Sequence, residues 1–161
     1  MIRVLLAATA LRPQSLTVEI TESSIMGDIN RTMAVLEELA ALGVRISVDD
    51  FGTGYSSLSY LKHFPVNMLK IDKSFISDVT TDPNDAAITA AIVAMGHALE
   101  LRVVAEGVET EAQVQLLRRL GCDLIQGHFV SRPMTANDFA RYLRQKGVSP
   151  RPTARPRVTI A

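Results

Sequence analysis

A single cysteine, Cys122, is all the thiol that this 161-residue chain holds. It excludes an internal disulfide and a cysteine-based metal site, and it fits a reducing compartment, so a cytoplasmic protein is expected. Cys122 precedes an apolar strand and reads as packing rather than as a nucleophile. Histidine is scarce too, and His63, His97 and His128 have no metal-ligand spacing among them. Three Tyr and five Phe are too few and too scattered for a base-stacking platform. No apolar run is long enough to cross a bilayer. The 17 basic and 17 acidic residues cancel, which leaves no global attraction for nucleic acid or membrane. Neither a nucleic-acid polymer nor a membrane segment is therefore expected. Ser23, Ser56 and Ser57 lack a nucleophile-elbow context, and no glycine-rich dinucleotide loop is present.

What is there is apolar and periodic. Hydrophobic residues make up 47% of the chain, and its length allows one domain with a real core. Residues 2 to 10 have the look of a short signal h-region with one Arg, but read better as an amphipathic helix entering the strand at Leu16. "LTVEI" (16–20) reads as a strand ending at Glu19, with Glu22 just beyond. Asp28 can cap a helix from about Asn30 to Leu42 with Met33, Leu36, Leu39 and Ala40 on one face. Gly43 stands at its C-terminal cap. A second strand begins at Ile46, a short helix is expected at Ser57 to His63, and "NMLKID" (67–72) is a third strand. A helix follows to about Leu99, its stripe formed by Ile88, Ile92, Met95 and Leu99. "LRVVAEGVE" (101–109) is a fourth strand, Thr110 and Gln113 form a capping box for a helix to Leu120, and "CDLIQG" (122–127) is a fifth strand. Asp138 to Arg144 reads as a closing helix. From Lys146 the Pro- and Arg-rich stretch has no periodicity and is expected to be a disordered tail.

This alternation argues parallel strands with covering helices. Each strand meets a polar side chain near its C-terminal end: Glu19, Asp49 with Asp50, Lys70 with Asp72, Glu106, Gln126. In an α/β barrel those ends share one face, where active sites are built. An open doubly wound sheet also gathers ligands there and remains the alternative.

The chain is organised around "ISVDDFGTGYSSLSYL" (46–61). In a regular strand Asp49 and Asp50 would point to opposite faces. Both reach one site only if the chain leaves the strand there, and the glycines of "FGTG" permit it. Alone, the pair also fits a polar turn with a capping Asp. Likewise, Lys70 and Asp72 alone fit a surface ion pair, and Glu106 a turn residue. Together, Glu19, Asp49, Asp50 and Glu106 are four carboxylates beside one cation, Lys70. Such a cluster is tolerable mainly when cations neutralise it, and oxygen-only ligands suit Mg²⁺ or Mn²⁺. Two divalent ions bridged by a carboxylate form a clamp for phosphodiester hydrolysis.

"VEITES", "DDFGTGYSSLSYLKHFPVNMLKIDKSF", "VVAEGVET" and "GCDLIQGHFVSRP" resemble, in order, the motifs of EAL domains, the cyclic-di-GMP-specific phosphodiesterases. The likeness runs from about residue 3 to residue 144. It implies a modified TIM barrel and hydrolysis of cyclic-di-GMP to pGpG. It implies Glu19 and Asp49 on a first metal, with Asp49 bridging to a second that Asp50 and Glu106 complete. It further implies Lys70 at the hydrolytic water, Gln126 hydrogen-bonding within the site, and Glu109 near it. Glu22 would tether the loop after Asp50, through which a homodimer is expected. The name-giving Glu-Ala-Leu motif and the "VNLS"-type strand with its Asn ligand are absent. A full barrel needs eight strands and about 250 residues. The expectation is therefore a partial barrel of about five strands over residues 1–145, truncated at its N-terminal strands, with a tail over 146–161. Such a chain is an enzyme when completed, or else a non-catalytic signalling module or an inactive fragment.

Overall fold

A computed structural model describes residues 1–25, 29–54 and 61–147. It divides into two compact units, Met1–Arg12 with Arg132–Ala161, and Pro13–Ser131. Among the described residues the first holds two helices, α1 (Ile2–Thr9) and α7 (Ala136–Gln145). Thr135 caps α7 by accepting from the Asp138 amide, so the helix starts earlier than the Asp138 start that the sequence suggests.

The second unit is a five-stranded sheet of β1 (Thr17–Thr21), β2 (Arg45–Phe51), β3 (Met68–Ile71), β4 (Arg102–Ala105) and β5 (Leu124–Ile125). The strands lie in sequence order, and every pairing is parallel. That is the order of successive β-α units in a barrel wall, not the reversal of a doubly wound sheet. The strands are connected through α2 (Glu22–Ile25), α3 (Ile29–Ala41), α4 (Lys73–Ser77), α5 (Pro83–Ala98) and α6 (Glu111–Leu120).

Side chains alternate between the faces of a strand, and the register carries that alternation across the sheet. Ile46, Val48, Leu69, Ile71, Val103 and Ala105 are buried in the core. On the other face stand Glu19, Ser47, Asp49, Lys70 and Glu106, linked by the pairings Glu19↔Ser47 and Lys70↔Val104. The polar residues thus share one face, near the strands' C-terminal ends.

Helix α3 buries Leu36, with Met33, Leu39 and Ala40 packed against the core, as its spacing indicates. Helix α5 keeps Ile92, Met95 and Leu99 of the expected stripe in or against the core and departs from it at Ile88. Thr89, Ile92, Val93 and Gly96 face inward, and Ile88 is exposed. Gly96 sets this orientation, because a Cβ there would lie 2.5 Å from Val103 Cγ2; only glycine lets the helix sit so close to β4. The strands expected over 101–109 and 122–127 are shorter, since the chain turns at Glu106 and Gln126. Asp28, most of the helix expected at Ser57 to His63, and the tail beyond Gly147 lie outside the described residues.

Candidate metal centre

The two aspartates reach one face through a β-bulge. Val48 pairs with Leu69 and Phe51 with Ile71, so three steps on β2 oppose two on β3. The extra residue returns Phe51 to the buried face and leaves Asp49 and Asp50 together on the polar one. Asp50 takes φ 53°, the left-handed conformation that Asp tolerates better than most residues. The departure from the strand thus occurs at Asp50 itself, two residues before Gly52, the first of the "GTG" glycines that the sequence reading credits with permitting it.

Oxygens of Asp49, Asp50 and Glu106 all lie within 4.8 Å of one another. Beside them the Lys70 ammonium makes three ion pairs, with Glu106 Oε1 at 2.6 Å, Glu19 Oε1 at 2.9 Å and Asp49 Oδ1 at 3.0 Å. Burial acts to lower the Lys70 pKa. The hydrogen bonds to Glu106, Glu19 and Asp49 outweigh it, and the net shift is upward. The Asp50 carboxyl moves above its ordinary range through burial and the negative charges of Asp49 and Asp72, with Lys70 opposing. Asp49 Oδ1 is closed to solvent, and the Lys70 ammonium at 3.0 Å is its partner. An all-oxygen donor set, with three carboxylates converging on one point, fits a hard divalent cation.

The remaining sequence-derived candidates fall around this cluster. Glu22 is buried, and its Oε2 accepts from the Gly52 amide at 3.0 Å. Its carboxylate also packs over Gly54, where a Cβ would meet Oε1 at 3.0 Å. Asp72 does not pair with Lys70. It caps α4 through the Ser74 amide at 2.9 Å. Burial acts to raise its pKa, but the Ser74 hydrogen bonds and Lys73 bring it below the usual carboxylate range. The helix α4 that follows was not legible, being one short turn after a strand. Gln126 follows β5; its backbone N–H donates to Ala105 O, and its backbone carbonyl accepts from Val108 N. Glu109 is exposed, with its Oε1 3.9 Å from His128 Nδ1. Cys122 is partly buried, and burial raises its thiol pKa, in line with packing.

Sequence reasoning missed two stitches. The Asn67 side chain accepts from the Ile46 amide at 2.8 Å, which locks the entry to β3 against β2. Gln113 is a capping-box residue as expected, but its buried carboxamide also bonds to α4. The capping signature reveals the first role and carries no signal for the second.

The chain is 57% identical over 133 residues to the signaling protein YkoW of Bacillus subtilis, a match covering 83% of this chain and 17% of YkoW. It is 54% identical over 130 residues to the bifunctional diguanylate cyclase/cyclic di-GMP phosphodiesterase MucR of Pseudomonas aeruginosa, covering 81% of this chain and 19% of MucR. It therefore spans less than a fifth of the length of these relatives. The solved PaMucR phosphodiesterase, in complex with c-di-GMP, superposes with a TM-score of 0.83 at 52% identity, over 86% of this chain and 56% of that one. Klebsiella pneumoniae BlrP1, in a manganese/cy-diGMP complex, gives 0.75 at 37% identity, over 81% of this chain and 33% of that one. These are likenesses to EAL barrel domains, so the five parallel strands are part of a barrel wall. The EAL domain model itself matches residues 1–133, and the chain belongs to the EAL domain family.

Proposed function

We propose that this chain supplies the metal-binding face of a cyclic-di-GMP phosphodiesterase that releases linear pGpG. The observation that carries the reading is the bulge that aims Asp49 and Asp50 at Glu106, all three within 4.8 Å. Asp49, Asp50 and Glu106, with Glu19, would hold two Mg²⁺ or Mn²⁺ ions. Bound there, such ions supply Lewis-acid polarisation of the phosphodiester and a water acidic enough to attack at neutral pH. The chain's own residues do the rest. Asp49 would serve both ions. Lys70, charged and nearly buried, orients the attacking water and offsets negative charge on the transferring phosphate. Gln126, at the end of β5, hydrogen-bonds within the site. Asp72 holds α4 at its rim, and Glu109 lies beside it. Glu22 anchors the start of the loop after Asp50, the surface proposed for a homodimer. The protein would work in the cytoplasm.

The test grafts residues 1–133 in place of the matching segment of the MucR EAL domain and follows pGpG by chromatography. The chimera should form pGpG only with Mg²⁺ or Mn²⁺. Asp49→Asn should lose on the order of a hundredfold or more in rate, since small misplacements cost that much. Hydrolysis that ignores Asp49→Asn would sink the reading.

A further inference from the structure

We propose that Gln113 is a positioning residue for the carboxylate cluster. It would act as a buried clamp that holds the turn carrying Glu106 against the turn that follows Lys70. The inference rests on the reading of Asp49, Asp50 and Glu106 as metal ligands.

The Gln113 side chain is 5% exposed, and every polar valence of its carboxamide is used. Oε1 accepts from the amides of Glu109 and Thr110, at 2.8 and 2.9 Å. Nε2 donates to the carbonyls of Ile76 and Ser77, at 3.0 and 3.2 Å. The first pair belongs to the turn that follows β4 and begins at Glu106. The second belongs to α4, which begins three residues after Lys70. A capping box needs only the bonds to the helix's own N-terminus. The two bonds to Ile76 and Ser77 serve no purpose for α6, and they cross 36 and 37 residues of sequence.

The two turns are also in direct contact. Gly107 has φ 68°, and a Cβ there would fall 2.7 Å from Lys73 Cβ. The Glu106 amide donates to Ile71 O at 3.2 Å. The position of Glu106 relative to Lys70 is therefore set by the β3–β4 register, by the bare Gly107 surface, and by one amide side chain. Among these only Gln113 fixes the far ends of both turns. Partners that orient metal ligands without touching the metal commonly change affinity by about 10–100-fold when removed. Gln113 reaches Glu106 through three backbone residues rather than directly, so the low end of that range applies.

The experiment compares Gln113→Leu with Thr110→Ala in the full 161-residue chain. Thr110 Oγ1 caps the same helix through the Gln113 amide at 3.3 Å, so its loss costs α6 stability and spares the carboxamide clamp. Hydrogen exchange reads the clamp and Mn²⁺ calorimetry reads the ligands, with Asp49→Asn as the reference for specific binding. Gln113→Leu should speed exchange in both 73–77 and 106–110 and weaken Mn²⁺ binding roughly tenfold. Thr110→Ala should lower the melting temperature and leave Mn²⁺ affinity within about twofold of wild type. Gln113→Asn keeps the amide and shortens the reach; it should reproduce the Leu variant and takes its place if that variant fails to fold. Unchanged exchange in either turn overturns the clamp, whatever the metal data. Faster exchange in both turns with unchanged Mn²⁺ affinity overturns the positioning role, as does an equal loss in Thr110→Ala. Wild-type Mn²⁺ binding that ignores Asp49→Asn overturns the functional reading and the positioning role together, while exchange still decides the clamp.

Discussion

Lys70 Nζ stands 2.6 Å from Glu106 Oε1, its shortest contact with the three carboxylates around it. The pair joins adjacent parallel strands. Lys70 lies opposite Val104, and Glu106, the first residue after β4, is the next side chain on that face. Without divalent ions this ammonium is the counter-charge for the cluster. Lys70→Met should therefore destabilise the metal-free chain by about 3 kcal/mol, the low end for breaking a buried ion pair, because Glu19 is half exposed. Mn²⁺ should then raise the melting temperature of the variant more than that of wild type. The folded-state pKa of Lys70 is raised, so its contribution is fully present below the unfolded lysine value of 10.5. It is lost only as pH climbs through the folded value. The wild-type advantage should hold flat from pH 7 to 9. Calorimetric scans in chelator and in Mn²⁺ check this, and equal Mn²⁺ responses would contradict it.

Asp50 works in the opposite sense. Burial, Asp49 and Asp72 raise its folded pKa above the model-peptide 3.8, so ionising it costs the folded state stability. The deficit is absent well below that unfolded value, grows as pH rises from it toward the higher folded value, and is complete above the folded one. Asp50→Asn removes it and keeps a residue suited to φ 53°. At pH 7 without metal the variant should melt several degrees higher than wild type. The gain should disappear in strong acid, and Mn²⁺ affinity should fall. A functional site that carries a stability cost is the usual trade. A lower melting point for Asp50→Asn at pH 7 would show that Asp50 is stabilising instead.

The strand order and the polar ends were legible because period-two alternation is written into the sequence. Val18, Ile46, Val48, Leu69, Val103 and their polar neighbours fall on opposite faces whatever the tertiary detail. The bulge was only half legible. "DDFGTG" announces a departure from the strand, but an extra residue in a ladder shows only against its partner strand. On α5, Ile92, Met95 and Leu99 were legible as the inward stripe; Ile88 was not, because the helix is apolar nearly all round and Ile88 and Thr89 compete for the core. Gly96 decides that contest through contact with Val103, which no helical pattern encodes. The second role of Gln113 was illegible for the same reason: its partners, Ile76 and Ser77, are backbone carbonyls remote in sequence.

Within the unit Pro13–Ser131, β1 pairs with β2 alone among the described residues. Between β1 and α3 lies a cleft of about 320 Å³ lined by Val18, Ile20, Val35 and Leu39, with Ser24, Arg31, Thr32 and Leu36. Val35 is 50% exposed. A parallel strand with an open edge beside apolar side chains is a site for association. The 161-residue chain should therefore self-associate in a concentration-dependent manner. Val35→Glu should weaken that association at little cost in melting temperature, since the side chain is already half in water. Light scattering decides it. A monodisperse monomer at high concentration would mean that this edge is covered.

The last expectation concerns turnover. Glu19 lies outside the 4.8 Å cluster of Asp49, Asp50 and Glu106, and its side chain is 48% exposed. Of the four proposed ligands it is the one least held in place. A two-ion mechanism needs both positions fixed, so the described residues define the Asp50 and Glu106 side of the site better than the Glu19 side. The 161-residue chain alone should bind Mn²⁺ weakly and form no appreciable pGpG, whereas the MucR chimera should do both. In the chimera, Lys70→Met should lose on the order of a hundredfold or more in kcat, because the group that orients water and balances charge is gone. Its Mn²⁺ affinity should hold or rise, because Asp49 and Glu106 no longer share their oxygens with an ammonium. Loss of rate with retained metal separates a charge-and-water role from a ligand role. An active Lys70→Met chimera would remove Lys70 from the mechanism, and rapid turnover by the unfused chain would show that Glu19 is held well enough without further support.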